Sequence, residues 1–247
     1  MEFGLRRAQG PDAGIYGARA AMIGGCVGTS NVYAGKLFDV PVSGTMAHSW
    51  VMNFPSELEA FRAYARSFPD NCLLLVDTYD TLRSGVPHAI QVFKELREHG
   101  YEPKGIRLDS GDLAYLSKAA RAMLDDAGFE NAIICASGDL DESLIRSLKA
   151  QGARIDTWGV GTKLITSADM PALGGVYKLA AVYEGEKEVP KIKLSDTTEK
   201  ITNPGVKEVY RIYDMPSHMA IADLIVRAGE RIDEAKPLTI FHPVDTW

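Results

Sequence analysis

Between residues 71 and 162 one local arrangement recurs: a short apolar run, a cluster of small polar residues, and a stretch whose apolar residues return at helical spacing. NCLLLVDTYD (71–80) reads as a strand buried on both faces. SGVPHAIQVFKELREHG (84–100) follows as a helix with Val92 and Leu96 on its apolar side and Gly100 just past its end. KGIRLDSGD then supplies a strand around Ile106–Leu108, and LAYLSKAARAMLDDAG a helix carrying Leu113, Leu116, Ala120 and Leu124. NAIICASGD with DESLIRSLKAQG makes a third pair, and RIDTWGVGTK a fourth strand. Buried strands joined by single helices through short loops demand parallel pairing and right-handed crossovers. The expectation is therefore an α/β chain whose core is an irregular, TIM-like parallel α/β barrel, or most of one.

At 247 residues, with 46% hydrophobic and 24% charged residues, the chain can bury a large core in one barrel-sized domain. Its net charge of -6 argues against a broad nucleic-acid-binding face and leaves room for a local basic pocket. Cys26, Cys72 and Cys135 are odd in number and lie in or beside apolar runs, as core cysteines of a reducing cytoplasm would. No run approaches the roughly 20 apolar residues of a membrane span. Met1 is followed by Glu2, Arg6 and Arg7, unlike a secretory leader, so the expected location is cytoplasmic.

Each strand ends in polar residues. VPVSGTMAHSW (40–50) reads as a strand breaking at Gly44 and followed by Thr45 and His48. The later ends carry Asp77, Thr78 and Asp80; Arg107, Asp109, Ser110 and Asp112; Ser137, Gly138 and Asp139; and Gly159, Gly161 and Thr162. In a parallel barrel these C-terminal ends converge on one mouth, so residues about one βα unit apart become neighbours. That convergence favours a functional role for His48 over a satisfied histidine at a strand end. The turns DSGD and GVGT can offer backbone N–H groups and a hydroxyl to a phosphate. Asp109 and Asp139 suit ribose hydroxyls or a water-bridged magnesium ion, with N-capping of the next helix as their ordinary alternative. Arg107 has the fork that grips a carboxylate or phosphate, with an internal ion pair to Asp109 as its alternative.

The ordered motifs EFGLRRAQGPDAG, GTMAHS, LVDTYDT, GIRLDSGDL, GVGT and LGGVYKL resemble nicotinate phosphoribosyltransferases, of the type II phosphoribosyltransferase family, over nearly the whole chain. The resemblance implies transfer of a phosphoribosyl group from phosphoribosyl pyrophosphate to nicotinate in NAD salvage. It also implies magnesium as cofactor, ATP hydrolysis coupled through a phosphorylated histidine, and a homodimer with shared active sites. On this likeness His48 is the phosphorylated histidine and Asp77 the carboxylate that orients its ring. Phe3, Thr45 and Arg107 match nicotinate positions, with Phe3 stacking on the pyridine. Arg6 matches a phosphate-contacting arginine, with Arg7 as helper. Asp109, Ser110, Gly138 and Asp139 match the ribose and pyrophosphate side, and Gly159, Gly161 and Thr162 the 5′-phosphate cradle. Neutral Ser30 favours the acid over nicotinamide, because amide-using relatives place an acidic residue there.

The expected organisation is a barrel core over 1–170, then remaining barrel elements and a small antiparallel β-rich appendage over 171–247, with the family's N-terminal domain absent. In the appendage, short strands flank a charged turn at Glu184–Glu188, and VKEVYRIYD is a further strand. Lys178, Lys191 and Lys193 read as solvated strand residues. His88, His99, His218 and His242 receive no role. The alternatives are transfer to nicotinamide or quinolinate, an inactive barrel fragment that only binds phosphate or pairs with itself, and an unrelated sugar-phosphate enzyme.

Overall fold

The structure is a computed structural model and describes residues 1–175, 177–194, 201–233, 235–237 and 239. The chain divides into two compact units, Met1–Leu173 and Gly174–Trp247.

In the first unit, α1 (Pro11–Ile23), α2 (Val32–Phe38), α3 (His48–Met52) and α4 (Glu57–Ser67) precede the repeated units. These then run β1 (Leu73–Leu75), α5 (Val86–Glu98), β2 (Gly105–Leu108), α6 (Leu113–Asp126), β3 (Ile133–Ala136), α7 (Glu142–Ala150), β4 (Thr157–Trp158) and α8 (Thr162–Ile165). The four strands pair in parallel in the order β1-β2-β3-β4, with Leu74 opposite Ile106, Ile106 opposite Ile134, and Cys135 opposite Thr157. Leu74, Leu75, Ile106, Leu108, Ile134, Cys135 and Ala136 are buried, as strands covered on both faces require, while Leu73, Ile133 and Trp158 are half-buried. Helix α5 buries Val86, Ala89, Val92, Phe93 and Leu96, an i, i+3, i+4 stripe, and Phe93 meets Phe129 edge-on at 5.5 Å. Gly100 takes φ +83° just past this helix, the left-handed closure that its sequence position indicates.

Two local expectations are corrected. The helix after β1 begins at Val86, because Thr81–Gly85 forms a π-turn whose amide at Arg83 is capped by the Asp80 carboxylate. Gly85 lies so close to the carbonyl of Val76 that a Cβ would sit 1.8 Å from its oxygen. The run from Val40 to Gly44 does not form a strand; only Val42 makes a bridge there. Pro41 has no N–H to continue a ladder, although its carbonyl accepts from Thr29 N at 3.0 Å.

Single-residue parallel bridges extend the pairing from Val160 to Glu2, from Glu2 to Thr29 and from Thr29 to Val42. The bonds Phe3 N–H to Val160 O at 2.8 Å, Glu2 N–H to Gly28 O at 2.8 Å and Ser30 N–H to Glu2 O at 2.9 Å hold them. Beyond Val42, the Thr45 hydroxyl donates to the carbonyl of Leu73 at the start of β1.

In the second unit, β5 (Ala181–Glu184) and β6 (Lys187–Pro190) form an antiparallel hairpin turning at Gly185, φ +67°. β7 (Lys207–Tyr213) pairs with β8 (Ala220–Arg227) in a second hairpin with an irregularity at Ile212/Tyr213. β8 was not expected from the sequence, since AIADLIVR is apolar except at Asp223 and Arg227 and offers no alternation to read.

Candidate functional site

The ends of β1, β2 and β3 share a design. At each, a first aspartate follows the strand and a second caps the next element. After β1, Asp77 lies beside the site and Asp80 caps the π-turn. After β2, Asp109 faces the site and Asp112 caps α6 through Tyr115 N–H at 3.0 Å. After β3, Asp139 lines the site and Asp141 caps α7 through Leu144 N–H at 2.7 Å. The ordinary capping role weighed for Asp109 and Asp139 thus belongs to Asp112 and Asp141. Lys163 pairs with Asp141, and together with the Leu144 bond this holds that carboxyl below its usual range.

These ends and the N-terminal segment line a cavity of about 510 Å³. Of the expected residues it gathers Phe3, Arg6, Thr45, His48, Arg107 and Asp109, together with Gly138, Asp139, Gly159, Gly161 and Thr162. Arg7 and Ser30 line it too, as do Gly44, Met46, Ala47 and Ser137. Asp77 and Ser110 are not in its lining. They form its support: Asp77 Oδ2 accepts from Asp109 N–H at 2.8 Å and from the Ser110 hydroxyl at 2.7 Å, with the Asp77 side chain only 2% exposed.

His48 is the first residue of α3 and half-buried. Its Nε2 lies 3.5 Å from Asp109 Oδ2 and 3.9 Å from Asp77 Oδ1, and its Nδ1 lies 3.2 Å from Thr78 Oγ1. Asp109 is therefore the nearer carboxylate, Asp77 stands behind it, and Thr78 is the neighbour of Nδ1 that sequence reasoning left without a role. Thr78 had a signal, since it sits in the strand-end cluster DTYD. Ser137 also went unassigned, and its hydroxyl holds Asp109 Oδ1.

Arg107 occupies the third position of β2, and its Nε is buried without a hydrogen-bond partner. Asp109, its expected internal partner, is engaged by Ser137 and His48, so the guanidinium has donor capacity to spend in the cavity. The Thr45 hydroxyl already donates to Leu73 O, which fixes the GTMAHS loop and leaves its oxygen an acceptor. The Phe3 ring lies against Gly159, where a Cβ would meet it at 2.6 Å. Gly138, at φ +100°, packs on the carbonyl of Asp109, and Asp139 is left-handed at φ +45° with the Thr162 hydroxyl 3.4 Å from its Oδ1. The two glycines are thus places where backbone or ring approaches too closely for a side chain.

The other described histidines are absent from the cavity lining. His88 Nδ1 pairs with Glu57 Oε2 at 2.8 Å and His99 Nδ1 with Glu95 O at 2.7 Å; His218 is exposed, and His242 is outside the described residues. Burial pushes the Cys72 thiol up to about 12 and raises that of Cys135, so both behave as core residues.

The model of the nicotinate phosphoribosyltransferase (NAPRTase) family matches residues 1–216, and that of the nicotinate phosphoribosyltransferase C-terminal domain matches residues 206–247. A nicotinate phosphoribosyltransferase of Bacillus subtilis is 57% identical over 247 residues, covering 100% of this chain and 50% of the relative. One from Dictyostelium discoideum is 42% identical, covering 99% of this chain and 50% of the relative. The crystal structure of human nicotinic acid phosphoribosyltransferase superposes with a TM-score of 0.72 at 32% identity, covering 95% of this chain and 53% of that one. The chain spans about half the length of these relatives. Matched over most of its length and carrying the family's motifs around one cavity, the chain belongs to the nicotinate phosphoribosyltransferase family.

Proposed function

We propose that the cavity is the site of phosphoribosyl transfer from phosphoribosyl pyrophosphate to nicotinate, giving nicotinate mononucleotide and pyrophosphate in NAD salvage. The observation that carries this is the donor set: a partly buried arginine with an unpartnered Nε shares one cavity with an exposed arginine pair and two glycine-lined turns. Arg107 supplies a charged fork for the acid, and Phe3 an aromatic face for its ring. Arg6, Arg7 and the Gly159–Thr162 segment receive phosphoryl oxygens. Building a glycosidic bond through an oxocarbenium-like centre asks mainly for positioning and charge neutralisation, which these groups provide.

The residues fit magnesium in the mode that keeps most of its waters and borrows substrate phosphates. Among the described residues no group of three or more His, Cys, Asp or Glu is gathered as a cage, while Asp109 and Asp139 present carboxylates to the cavity. Those two would hold the ion, which neutralises the departing pyrophosphate when bound. In the same reading His48 accepts a phosphoryl group from ATP, a step that couples hydrolysis to transfer, and the active assembly is a cytoplasmic homodimer with shared sites. The run of bridges from Val160 through Glu2 and Thr29 to Val42, with Thr45 reaching β1, supports reading the parallel sheet as part of a closed α/β barrel.

Transfer to nicotinamide is the second reading, and the neutral Ser30 in the lining favours the acid against it. Calorimetric titration separates them. A charge-assisted bond is worth about 1.5–3 kcal/mol, so nicotinate should bind about 10-fold or more tightly than nicotinamide, and Arg107→Ala should erase the difference. Tighter binding of the amide would overturn the assignment.

A further inference from the structure

We infer that Glu2 is a positioning residue for the anion end of the cavity, its buried carboxylate holding the Leu5–Arg7 turn in the shape that presents Arg6 and Arg7. The inference rests on the reading above, in which those arginines receive phosphoryl oxygens.

Glu2 is completely buried between the bridges to Thr29 and Val160. Both carboxylate oxygens are engaged: Oε1 accepts from Gly4 N–H and Oε2 from the Thr29 hydroxyl at 2.5 Å. Thr29 Oγ1 in turn accepts from Asn31 N–H at 2.9 Å. The Asn31 side chain caps α2 through Ala34 N–H at 3.0 Å and donates to Gly14 O of α1 at 3.2 Å. The carboxylate thus heads a continuous chain from the arginine turn to two helices. The turn has little support of its own. It is three residues long, and Gly4, which precedes it, offers no side-chain cap. Gly4 itself is pinned: a Cβ there would meet Ile165 of α8 at 2.4 Å and Glu2 Oε1 at 2.9 Å.

Stability alone does not call for this arrangement. Burying a carboxylate against a backbone N–H and a hydroxyl, with neither partner a cation, costs more than burying an apolar side chain of similar size. What the carboxylate adds is a directed acceptor for the amide at which the arginine turn begins.

The two possible influences of Glu2 on a bound anion have opposite signs. A negative charge near the site repels pyrophosphate, so its removal strengthens binding. Loss of the acceptor loosens the turn and weakens binding. Magnesium pyrophosphate is titrated into the 247-residue chain and its variants, with melting curves confirming that each is folded at the titration temperature. Glu2→Ala should weaken binding about 10-fold or more. Glu2→Gln, which keeps an acceptor for Gly4 N–H and removes the charge, should bind as tightly as the unaltered chain or more tightly. Should Glu2→Ala not fold, Thr29→Val takes its place, and affinity should fall by about 3-fold or more. A lowered melting temperature with unchanged affinity in Glu2→Ala or its replacement, or a loss in Glu2→Gln as large as that in Glu2→Ala, overturns the inference. Unchanged affinity in Arg6→Ala is a different failure, since it removes the arginine turn from the anion site and the inference with it.

Discussion

At the scale of single residues the site turns on what surrounds the His48 ring. Two carboxylates face Nε2, at 3.5 and 3.9 Å, and a hydroxyl faces Nδ1 at 3.2 Å. Carboxylates only accept, so with the ring proton on Nε2, facing them, the lone pair on Nδ1 lies beside the Thr78 hydroxyl. If His48 accepts a phosphoryl group as proposed, incubation with ATP and magnesium should leave an acid-labile phosphate on the chain, absent from His48→Ala, and label retained in that variant would remove His48 from the mechanism. Because Asp109 is the nearer carboxylate and Asp77 acts partly by holding Asp109 N–H and Ser110, Asp109→Asn should slow labelling more than Asp77→Asn. The larger effect should be on the order of 100-fold, as for other lost orienting carboxylates. Rates unchanged from the unaltered chain in both variants would mean that neither carboxylate orients the ring, and equal slowing would overturn the ranking of the two. Arg107 was readable as a candidate because it sits near the end of β2, and His48 because the GTMAHS motif carries it, although the strand expected before it is absent. The order of the two aspartates around the ring was not readable, since it depends on backbone turns one residue either side of each strand end.

At the scale of elements, the strand ends divide labour between two aspartates each, and this separates stability from chemistry. Asp112→Ala removes the cap of α6 and should cost about 1 kcal/mol, seen as a lower melting temperature with pyrophosphate affinity unchanged. Asp109→Ala should do the reverse, altering binding while the α6 cap stays intact. Similar melting temperatures for the two would show that the second aspartate is not the cap that matters. The βα repeats were legible because β1 and β3 are continuous apolar runs, β2 carries two apolar residues around Arg107, and α5 and α6 carry clear helical stripes. The π-turn was not, because its cause is the close approach of Gly85 to Val76 O, a contact between chain segments. The bridges at Glu2, Thr29 and Val42 escaped for a related reason: pairing one residue long leaves no alternation to read, and Pro41 breaks the only apolar run nearby.

At the scale of the whole chain, every residue that lines the cavity or supports Asp77, Asp109 and Glu2 falls within Met1–Leu173. The buried cluster around the parallel sheet, from Met46 to Leu148, lies there as well, so this unit has a core of its own. Among its described residues the second unit has two antiparallel hairpins, each paired through its own backbone. None of the site chemistry derived above needs a residue after Ile165. Residues 1–173 expressed alone should accordingly melt in one cooperative transition and bind magnesium pyrophosphate within about 3-fold of the 247-residue chain, because the core and cavity residues described above all lie within that span. Proteolysis of the intact chain should release a stable fragment ending near Leu173. A shortened chain that fails to fold, or that folds and loses affinity 10-fold or more, would show that the hairpin unit shapes the site, and the search for further substrate-contacting residues would then move to β5–β8.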